Sequence, residues 1–201
     1  MNVSKKKTPE FKIILVGDAA VGKTSIIMRF QHDIFMEDYQ NTITASYFTK
    51  MIETERGPAN LNIWDTAGQE KYKSLVPMYS KGAAAAIIVF DASEKDSFEV
   101  AQTWIQQVKH DAPEDCQVFV VGNKIDKLQD GQLPQEQSEE IKNYCNKYNC
   151  RLKYVSALSG SGINSLFQDV AHSIPSVRFQ STTEAINVSN DNNNNNKQSC
   201  C

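Results

Sequence analysis

The sequence predicts an α/β domain built on a mostly parallel sheet of about six strands, with helices on both faces and one antiparallel strand. Strand-like and helix-like segments alternate along residues 11–175, as in successive β-α-β units. Residues 83–90 are almost entirely apolar, as expected of a central strand covered on both faces. The residues ERGP at 55–58 separate two β-prone segments and predict a hairpin, which supplies the antiparallel strand.

Apolar periodicity orders the elements along the chain. Strands are predicted at about 11–16, 46–53, 60–65, 83–90, 118–121 and 152–155. Helices are predicted at about 22–30, 97–110, 136–148 and 163–174, with a frayed helical stretch that ends near residue 82. Phe98, Ala101 and Ile105, for example, recur at helical spacing. Residues 31–45 show no clear period, and we interpret them as a long loop, which in a compact domain is usually functional or disordered.

Three regions are expected within the 201 residues. Residues 1–10 are polar and predict a flexible N-terminal extension. Residues 11–175 form the folded domain, since Pro175 ends the last helical pattern. Residues 176–201 are polar, include an asparagine run at 192–196, and predict a disordered tail.

Composition excludes several classes of function. The net charge of −3 leaves no electrostatic footprint for nucleic acid. No apolar run is long enough to span a membrane, and the basic N-terminus leads into a strand, which argues against a signal peptide and secretion. Five cysteines without framework spacing fit a reducing cytosol. Cys145 and Cys150 have no second pair nearby, so plain thiols are favoured over a metal site.

The strongest motif is a phosphate-binding loop between the first strand and the first helix. It matches GxxxxGK[ST] and comprises Gly17, Asp18, Ala19, Ala20, Val21, Gly22, Lys23 and Thr24, followed by Ser25. Successive backbone N–H groups must form a nest around a polyphosphate, which needs glycine where a side chain would intrude. Lys23 adds a charge for the β- and γ-phosphates, and the Thr24 hydroxyl is placed to bind Mg²⁺.

Two further motifs follow predicted strands. Asp65 is placed like a carboxylate that holds Mg²⁺ through water, Gly68 allows its N–H to approach a γ-phosphate, and Gln69 would orient an attacking water.

Asn123, Lys124 and Asp126 follow the strand at 118–121. The Asp126 carboxylate can accept both the N1–H and the 2-amino group of guanine, a donor pair that adenine lacks. Asn123 would brace the loops and Lys124 would cover one face of the base. A matching loop after the last strand contains Ser156, Ala157 and Leu158.

With these motifs in this order, the chain resembles small GTPases of the Ras superfamily, and the Rab family in particular, over about residues 10–175. The resemblance implies the P-loop NTPase fold of a small G domain, with GTP, GDP and Mg²⁺ as ligands. It implies that Thr42 completes Mg²⁺ coordination and senses the γ-phosphate, and that Phe35 packs edge-on against guanine. The alternative for Phe35 is a core aromatic.

The resemblance also implies an effector surface and a branch of the family. The effector region would comprise Tyr39, Gln40, Asn41, Thr42, Ile43, Thr44, Ala45, Ser46, Tyr47, Trp64 and Tyr79. Tyr47, Trp64 and Tyr79 match an aromatic triad that Rab proteins present to effectors, with plain packing as the alternative. Residues 71–91 are similar to the endosomal Rab branch.

Three residues depart from the usual family pattern. Thr44 stands where glycine is usual, which puts in doubt the flexibility of the loop that contains Thr42 and its fit to effectors. Leu158 replaces a more common lysine beside the base, which predicts a looser hold on the nucleotide. Ala19 and Ala20 replace a Ser-Gly type of loop, and crowding of the γ-phosphate there predicts slow intrinsic hydrolysis.

The terminal Cys200 and Cys201 resemble the double geranylgeranylation signal of Rab proteins and depart from C-a-a-X. One lipid gives only marginal membrane binding, and the tail holds just Arg178 and Lys197 as basic residues. We therefore expect both cysteines to be modified, the alternative being a pair of free thiols.

Together these features predict a GTP/GDP switch on the cytoplasmic face of an intracellular membrane, endosomal by resemblance, that cycles through the cytosol. The expected partners are an exchange factor, a GTPase-activating protein (GAP), a GDP-dissociation inhibitor, the prenylation machinery and trafficking effectors, with no nucleic acid. Two alternatives stay open: a GTP-bound scaffold with little hydrolysis, motivated by Thr44 and Leu158, and a P-loop kinase that uses ATP, against which Asp126 speaks. Another branch of the Ras superfamily is also compatible with the motifs.

Overall fold

The computed structural model describes residues 8–36, 46–66, 76–131 and 133–179. Its strands are β1 (Glu10–Gly17), β2 (Ser46–Thr54), β3 (Gly57–Asp65), β4 (Ala85–Asp91), β5 (Gln117–Asn123) and β6 (Arg151–Tyr154). Its α-helices are α1 (Lys23–His32), α2 (Val76–Ser80), α3 (Ser97–Asp111), α4 (Gln135–Lys147) and α5 (Ile163–Ser173). Short 3₁₀ turns follow β5 at Ile125–Lys127 and Gln129–Gly131.

The described strands form one six-stranded sheet in the order β2-β3-β1-β4-β5-β6. β1 pairs in parallel with β3 and β4, while β5 pairs in parallel with β4 and β6. β2 and β3 form an antiparallel hairpin in which Thr54 pairs with Gly57. The predicted fold class, including the single antiparallel strand, is therefore confirmed.

The hydrophobic core lies in two layers, one on each face of the sheet. Alternation along β1 divides its side chains, since Ile13 and Leu15 enter one layer and Ile14 and Val16 the other. The first layer is covered by α1 and α5, and the second by α3 and α4. Every residue of β4 is buried, and all but the last, Asp91, are apolar, as expected of a strand covered on both faces. Among the described residues, none of the helices has the length and apolar character needed to cross a membrane.

The two predicted domain boundaries differ from the contacts that the structure shows. Glu10, placed in the N-terminal extension, is the first residue of β1 because it pairs with Asn60 of β3. At the other end, contacts continue past Pro175: the Phe179 ring lies 4.6 Å from the Phe11 ring. Arg178 also forms a two-point ion pair with Asp115, in which its Nε contacts Oδ2 at 2.5 Å. The folded part therefore extends at least to Phe179. The sequence did not predict these contacts because the segment after residue 175 is polar.

Candidate nucleotide-binding site

The predicted motifs meet at one edge of the sheet. β1, β3, β4, β5 and β6 run in parallel, so their carboxyl ends lie along the same edge. The loops after β1, β3, β5 and β6 hold the predicted site residues. Ligands of open α/β sheets bind at this edge, near the strand where the connections change direction. Here that strand is β1, which lies between β3 and β4.

The loop after β1 depends on two glycines and one alanine with positive φ. Gly17 has φ 144°, and a Cβ atom there would lie 2.3 Å from the carbonyl oxygen of Val89 on β4. Gly22 has φ 96°, and a Cβ there would lie 2.3 Å from Nδ2 of Asn123. Ala20 has φ 59° and is exposed. The backbone therefore turns sharply beside two neighbouring strands, where side chains at 17 and 22 would collide.

The buried Lys23 side chain bonds the main chain of this loop. Its Nζ donates hydrogen bonds to the main-chain oxygens of Gly17 at 2.9 Å and Asp18 at 2.6 Å. Burial lowers the pKa of Lys23 from 10.5 to about 8, against the opposing effect of the Asp65 and Asp18 carboxylates. A phosphate placed in this loop would supply the negative charge that a buried ammonium needs.

Thr24 and Asp65 connect the start of α1 to the end of β3. The Thr24 hydroxyl donates to Oδ2 of Asp65 at 2.5 Å, and both residues are buried. The other oxygen, Oδ1, is buried with no hydrogen-bond partner among the described residues. Burial raises the pKa of Asp65, opposed by the Thr24 hydrogen bond and the Lys23 charge. The Thr66 hydroxyl holds this end of β3 to β1 through the oxygen of Leu15, at 2.6 Å.

This pair of residues fits Mg²⁺. A hydroxyl and a carboxylate are the hard oxygen ligands that Mg²⁺ prefers, and the unpartnered Oδ1 of Asp65 is an acceptor to spare. Within the described ranges, no group of three His, Cys, Asp or Glu side chains could hold a metal. One hydroxyl and one carboxylate suit a nucleotide-bound Mg²⁺, which usually takes one or two protein carboxylates and completes its shell with phosphate oxygens and water.

Asn123 joins the phosphate loop to the loop after β6. Its Nδ2 donates to the main-chain oxygen of Val21 at 2.9 Å, and its Oδ1 accepts from the N–H of Ala157 at 3.1 Å. The side chain is buried, with 1% exposure. The predicted bracing role of Asn123 therefore has a geometric basis, because one amide spans both loops.

The base-side loops hold Asp126 and Lys124. Oδ1 of Asp126 accepts a short hydrogen bond from the Ser156 hydroxyl, while the residue itself stays exposed. Lys124 has φ 66°, and its Nζ lies 2.6 Å from Oδ2 of Asp91. The loops at 123–126 and 156–158 thus lie side by side, as the sequence predicts. Leu158, the unusual residue here, is 47% exposed.

Asp91 was missed by the sequence prediction. Burial alone would raise its pKa, but hydrogen bonds from Lys124 and Ser93 outweigh that effect and leave the pKa lowered. Asp91 is the last residue of β4 and orients the Lys124 stem. Its position at the carboxyl end of a buried strand was the available signal.

Other predicted residues are placed only in part. Phe35 is half-buried and packs against the core layer beside α1. Tyr47 and Trp64 make an edge contact at 5.3 Å between ring centroids, and Trp64 and Tyr79 lie 6.2 Å apart. Tyr47 is 52% exposed, so the triad forms one partly exposed aromatic surface.

Several predicted residues lie outside the described part of the chain. They are Tyr39, Gln40, Asn41, Thr42, Ile43, Thr44 and Ala45 of the first loop, Gly68 and Gln69 of the second, and the terminal Cys200 and Cys201. Their roles remain predictions from the sequence.

Comparisons with known proteins agree with this geometry. A family model described as the Ras family matches residues 12–176. The Ras-related protein RABF2a of Arabidopsis thaliana is 33% identical over 202 residues and covers 100% of both chains. The Ras-related protein Rab-22A of Homo sapiens is 35% identical over 83% of this chain and 84% of its own. The GTP-binding protein ypt5 of Schizosaccharomyces pombe is 37% identical over 82% of this chain and 77% of its own.

The family model covers most of the chain, and these relatives match along most of their own length. The predicted phosphate loop and the predicted base-side loops lie at the carboxyl edge of the parallel strands. The chain therefore belongs to the Ras family and, within it, to the Rab proteins, which are small GTPases.

Proposed function

We propose that this Rab GTPase is a membrane-anchored switch for vesicle trafficking, which binds GTP with Mg²⁺ and hydrolyses it to GDP and phosphate. The observation that carries the proposal is the double contact of Asn123 with Val21 and Ala157. This contact joins the predicted phosphate loop to the predicted base-side loop, which supports one site for both ends of a guanine nucleotide. Such a site holds a guanine nucleotide by both ends, which is the requirement for reading the γ-phosphate.

On the phosphate side, Lys23 and the backbone nest hold the phosphates, while Thr24 and Asp65 would hold Mg²⁺. Bound Mg²⁺ would neutralise charge that develops between the β- and γ-phosphates. Thr42 and Gly68 would contact the γ-phosphate and be released after hydrolysis. Gln69 would position water.

Fast turnover is expected to need a partner. The phosphate loop, residues 31–45 and residues 66–82 contain no arginine in the sequence. An arginine supplied by a GAP can accelerate hydrolysis by about 10³–10⁵. Because the nucleotide is held at both ends, its release would likewise need an exchange factor.

Single-turnover hydrolysis by the purified protein tests the enzymatic part. We expect Gln69→Leu to keep GTP binding and to slow phosphate release relative to wild type. An unchanged rate would remove Gln69 from the catalytic role. Absence of phosphate release from the wild type over many hours, with GTP still bound, would favour a scaffold. Equal competition by ATP and GTP would favour the kinase.

The trafficking part rests on the tail and the aromatic surface. Prenyl groups on Cys200 and Cys201 would anchor the protein to the cytoplasmic face of an intracellular membrane, and an endosome is proposed from the likeness of residues 71–91. A GDP-dissociation inhibitor would carry the lipidated protein through the cytosol. Tyr47, Trp64 and Tyr79 would meet effectors. Tagged wild type should label membranes, whereas the Cys200→Ser/Cys201→Ser double variant should be diffuse.

A further inference from the structure

An arginine outside the nucleotide motifs connects the phosphate side of the site to the base side. Arg29 lies on α1, the helix that begins with Lys23. Its Nε donates to the main-chain oxygen of Ala157 at 2.9 Å, and its Nη2 donates to that of Leu158 at 2.7 Å. Both acceptors belong to the loop after β6, so one guanidinium ties that loop to the phosphate-side helix.

The third nitrogen of Arg29 is fixed by the end of its own helix. Nη1 donates to the main-chain oxygen of Asp33 at 2.8 Å and to its Oδ1 at 2.9 Å. Asp33 caps α1 with φ 56°, and its N–H bonds the Arg29 oxygen. The Arg29 side chain is only 16% exposed. A planar fork that is held in this way cannot follow an independent movement of the loop.

Ala157 is consequently held on both of its peptide groups. Asn123 accepts its N–H at 3.1 Å, and Arg29 donates to its carbonyl. The neighbouring Leu158 is tied by its carbonyl oxygen, while its side chain is exposed. The replacement of a polar residue by leucine at 158 therefore leaves this brace intact, because the contact is made by the main chain.

We propose that Arg29 is a positioning residue for guanine-nucleotide retention. It acts through Ala157 and Leu158, holding the base-side loop in register with the helix that carries Lys23 and Thr24. The proposal rests on the proposed nucleotide site and adds a second brace to Asn123. Since Arg29 acts on the base side, its effect is independent of Mg²⁺.

Dissociation of fluorescently labelled GDP from the full chain tests the proposal. We expect Arg29→Ala to release GDP about tenfold faster than wild type, since the two charge-assisted hydrogen bonds from Arg29 to the base-side loop are lost. Arg29→Lys should fall between the two, because one ammonium cannot replace the three-armed contact. The acceleration should be the same with excess Mg²⁺ and with EDTA.

Arg56→Ala is the matched control. Arg56 also donates to a main-chain oxygen, that of Ile174 at 2.6 Å, but it lies in the β2–β3 turn at the opposite edge of the sheet. We expect it to lower the melting temperature without changing GDP release.

Three results would count against a role of Arg29 in GDP retention. Release from Arg29→Ala within twofold of wild type would overturn the proposal, as would equal acceleration by Arg56→Ala or a loss of the effect in EDTA. If Arg29→Ala fails to fold, Arg29→Lys decides by the same criteria. A wild type that retains no labelled GDP would instead overturn the nucleotide site itself.

Discussion

The hydroxyl of Thr24 donates a 2.5 Å hydrogen bond to Oδ2 of Asp65, across the junction between α1 and β3. The other oxygen of the same carboxylate stays without a partner among the described residues. A buried carboxylate with one free oxygen is costly unless a cation completes it. We therefore expect Mg²⁺ binding and nucleotide binding to depend on each other through this pair.

Thr24→Ala should weaken Mg²⁺-dependent retention of GDP. We expect the Mg²⁺ concentration that half-maximally slows GDP release to rise by about tenfold or more, since few protein ligands are available to this ion. Thr54→Ala is the control, because the Thr54 hydroxyl donates to the Gly57 oxygen at 2.7 Å in the β2–β3 turn, at the opposite edge of the sheet. It should lower stability and leave the Mg²⁺ dependence unchanged; equal loss in both variants would contradict the assignment.

Asp126→Asn should reduce guanine selectivity. The amide oxygen of the variant side chain could still accept from Ser156, but the second carboxylate oxygen and the charge are lost. We expect GDP affinity to fall by about a hundredfold while ADP affinity stays low. Asp130→Asn, an exposed change in the neighbouring turn, should have no effect. Competition of both nucleotides against labelled GDP measures this, and an unchanged GDP/ADP ratio would refute the role of Asp126.

Gly17→Ala should destabilise the domain far more than Gly57→Ala. Both glycines have positive φ, at 144° and 101°, but a Cβ at 17 would lie 2.3 Å from the Val89 oxygen, and nothing lies within 4 Å at 57. Strain alone costs about 1 kcal/mol, and the collision adds roughly 2 kcal/mol or more. Urea unfolding of the GDP-bound forms compares them; equal losses would show that the close approach of β4 is unimportant.

The Arg178–Asp115 pair should stabilise the domain in a pH-dependent manner. Hydrogen bonds from Arg178 lower the pKa of Asp115 despite partial desolvation. A lowered folded-state pKa adds stability above the ordinary aspartate pKa, and this is lost as the pH falls through the folded value. Arg178→Ala should cost about 1 kcal/mol or less at pH 7, since the pair is partly exposed, and this cost should shrink as the pH falls through the folded-state pKa of Asp115. The hydrogen bond from Arg178 Nη1 to the Gly82 oxygen at 3.3 Å does not titrate.

The control for that experiment is the double variant with Asp115→Asn. If Arg178→Ala costs the same free energy of unfolding in that background, the pair does not interact and the pH dependence has another source. A cost that does not fall with pH would indicate that the hydrogen bond to the Gly82 oxygen carries the effect instead.

Local patterns were enough to predict most of the fold. The apolar run of β4, the ERGP turn and the helical spacing of Phe98, Ala101 and Ile105 each report a structure formed by neighbours in sequence. The structure agrees within a few residues at every predicted strand. The start of β1 was misplaced because Glu10 is polar, and its strand character comes from pairing with Asn60.

Contacts between residues that are distant in the sequence were harder to predict from it. The motif residues Lys23, Asp65 and Asn123 could be predicted because their spacing and flanking strands are specific. The contacts of Arg29 could not be predicted, because it lies at an ordinary helical position and its acceptor carbonyls are 128 and 129 residues away in the sequence. The contact of Phe179 with Phe11 was also not predicted, because a single aromatic residue in a polar segment gives no periodic signal.

The two ends of β1 contact different parts of the protein. The start of the strand packs against Phe179 through Phe11, and its end leads into the predicted phosphate loop. Phe11 stands near the start of the strand and Gly17 at its end, about 20 Å away at the ordinary rise of a β-strand. A restraint on the chain beyond residue 179 would therefore act at the end of β1 opposite the predicted phosphate loop. We expect a surface that binds the tail to leave the predicted nucleotide loops accessible to partners.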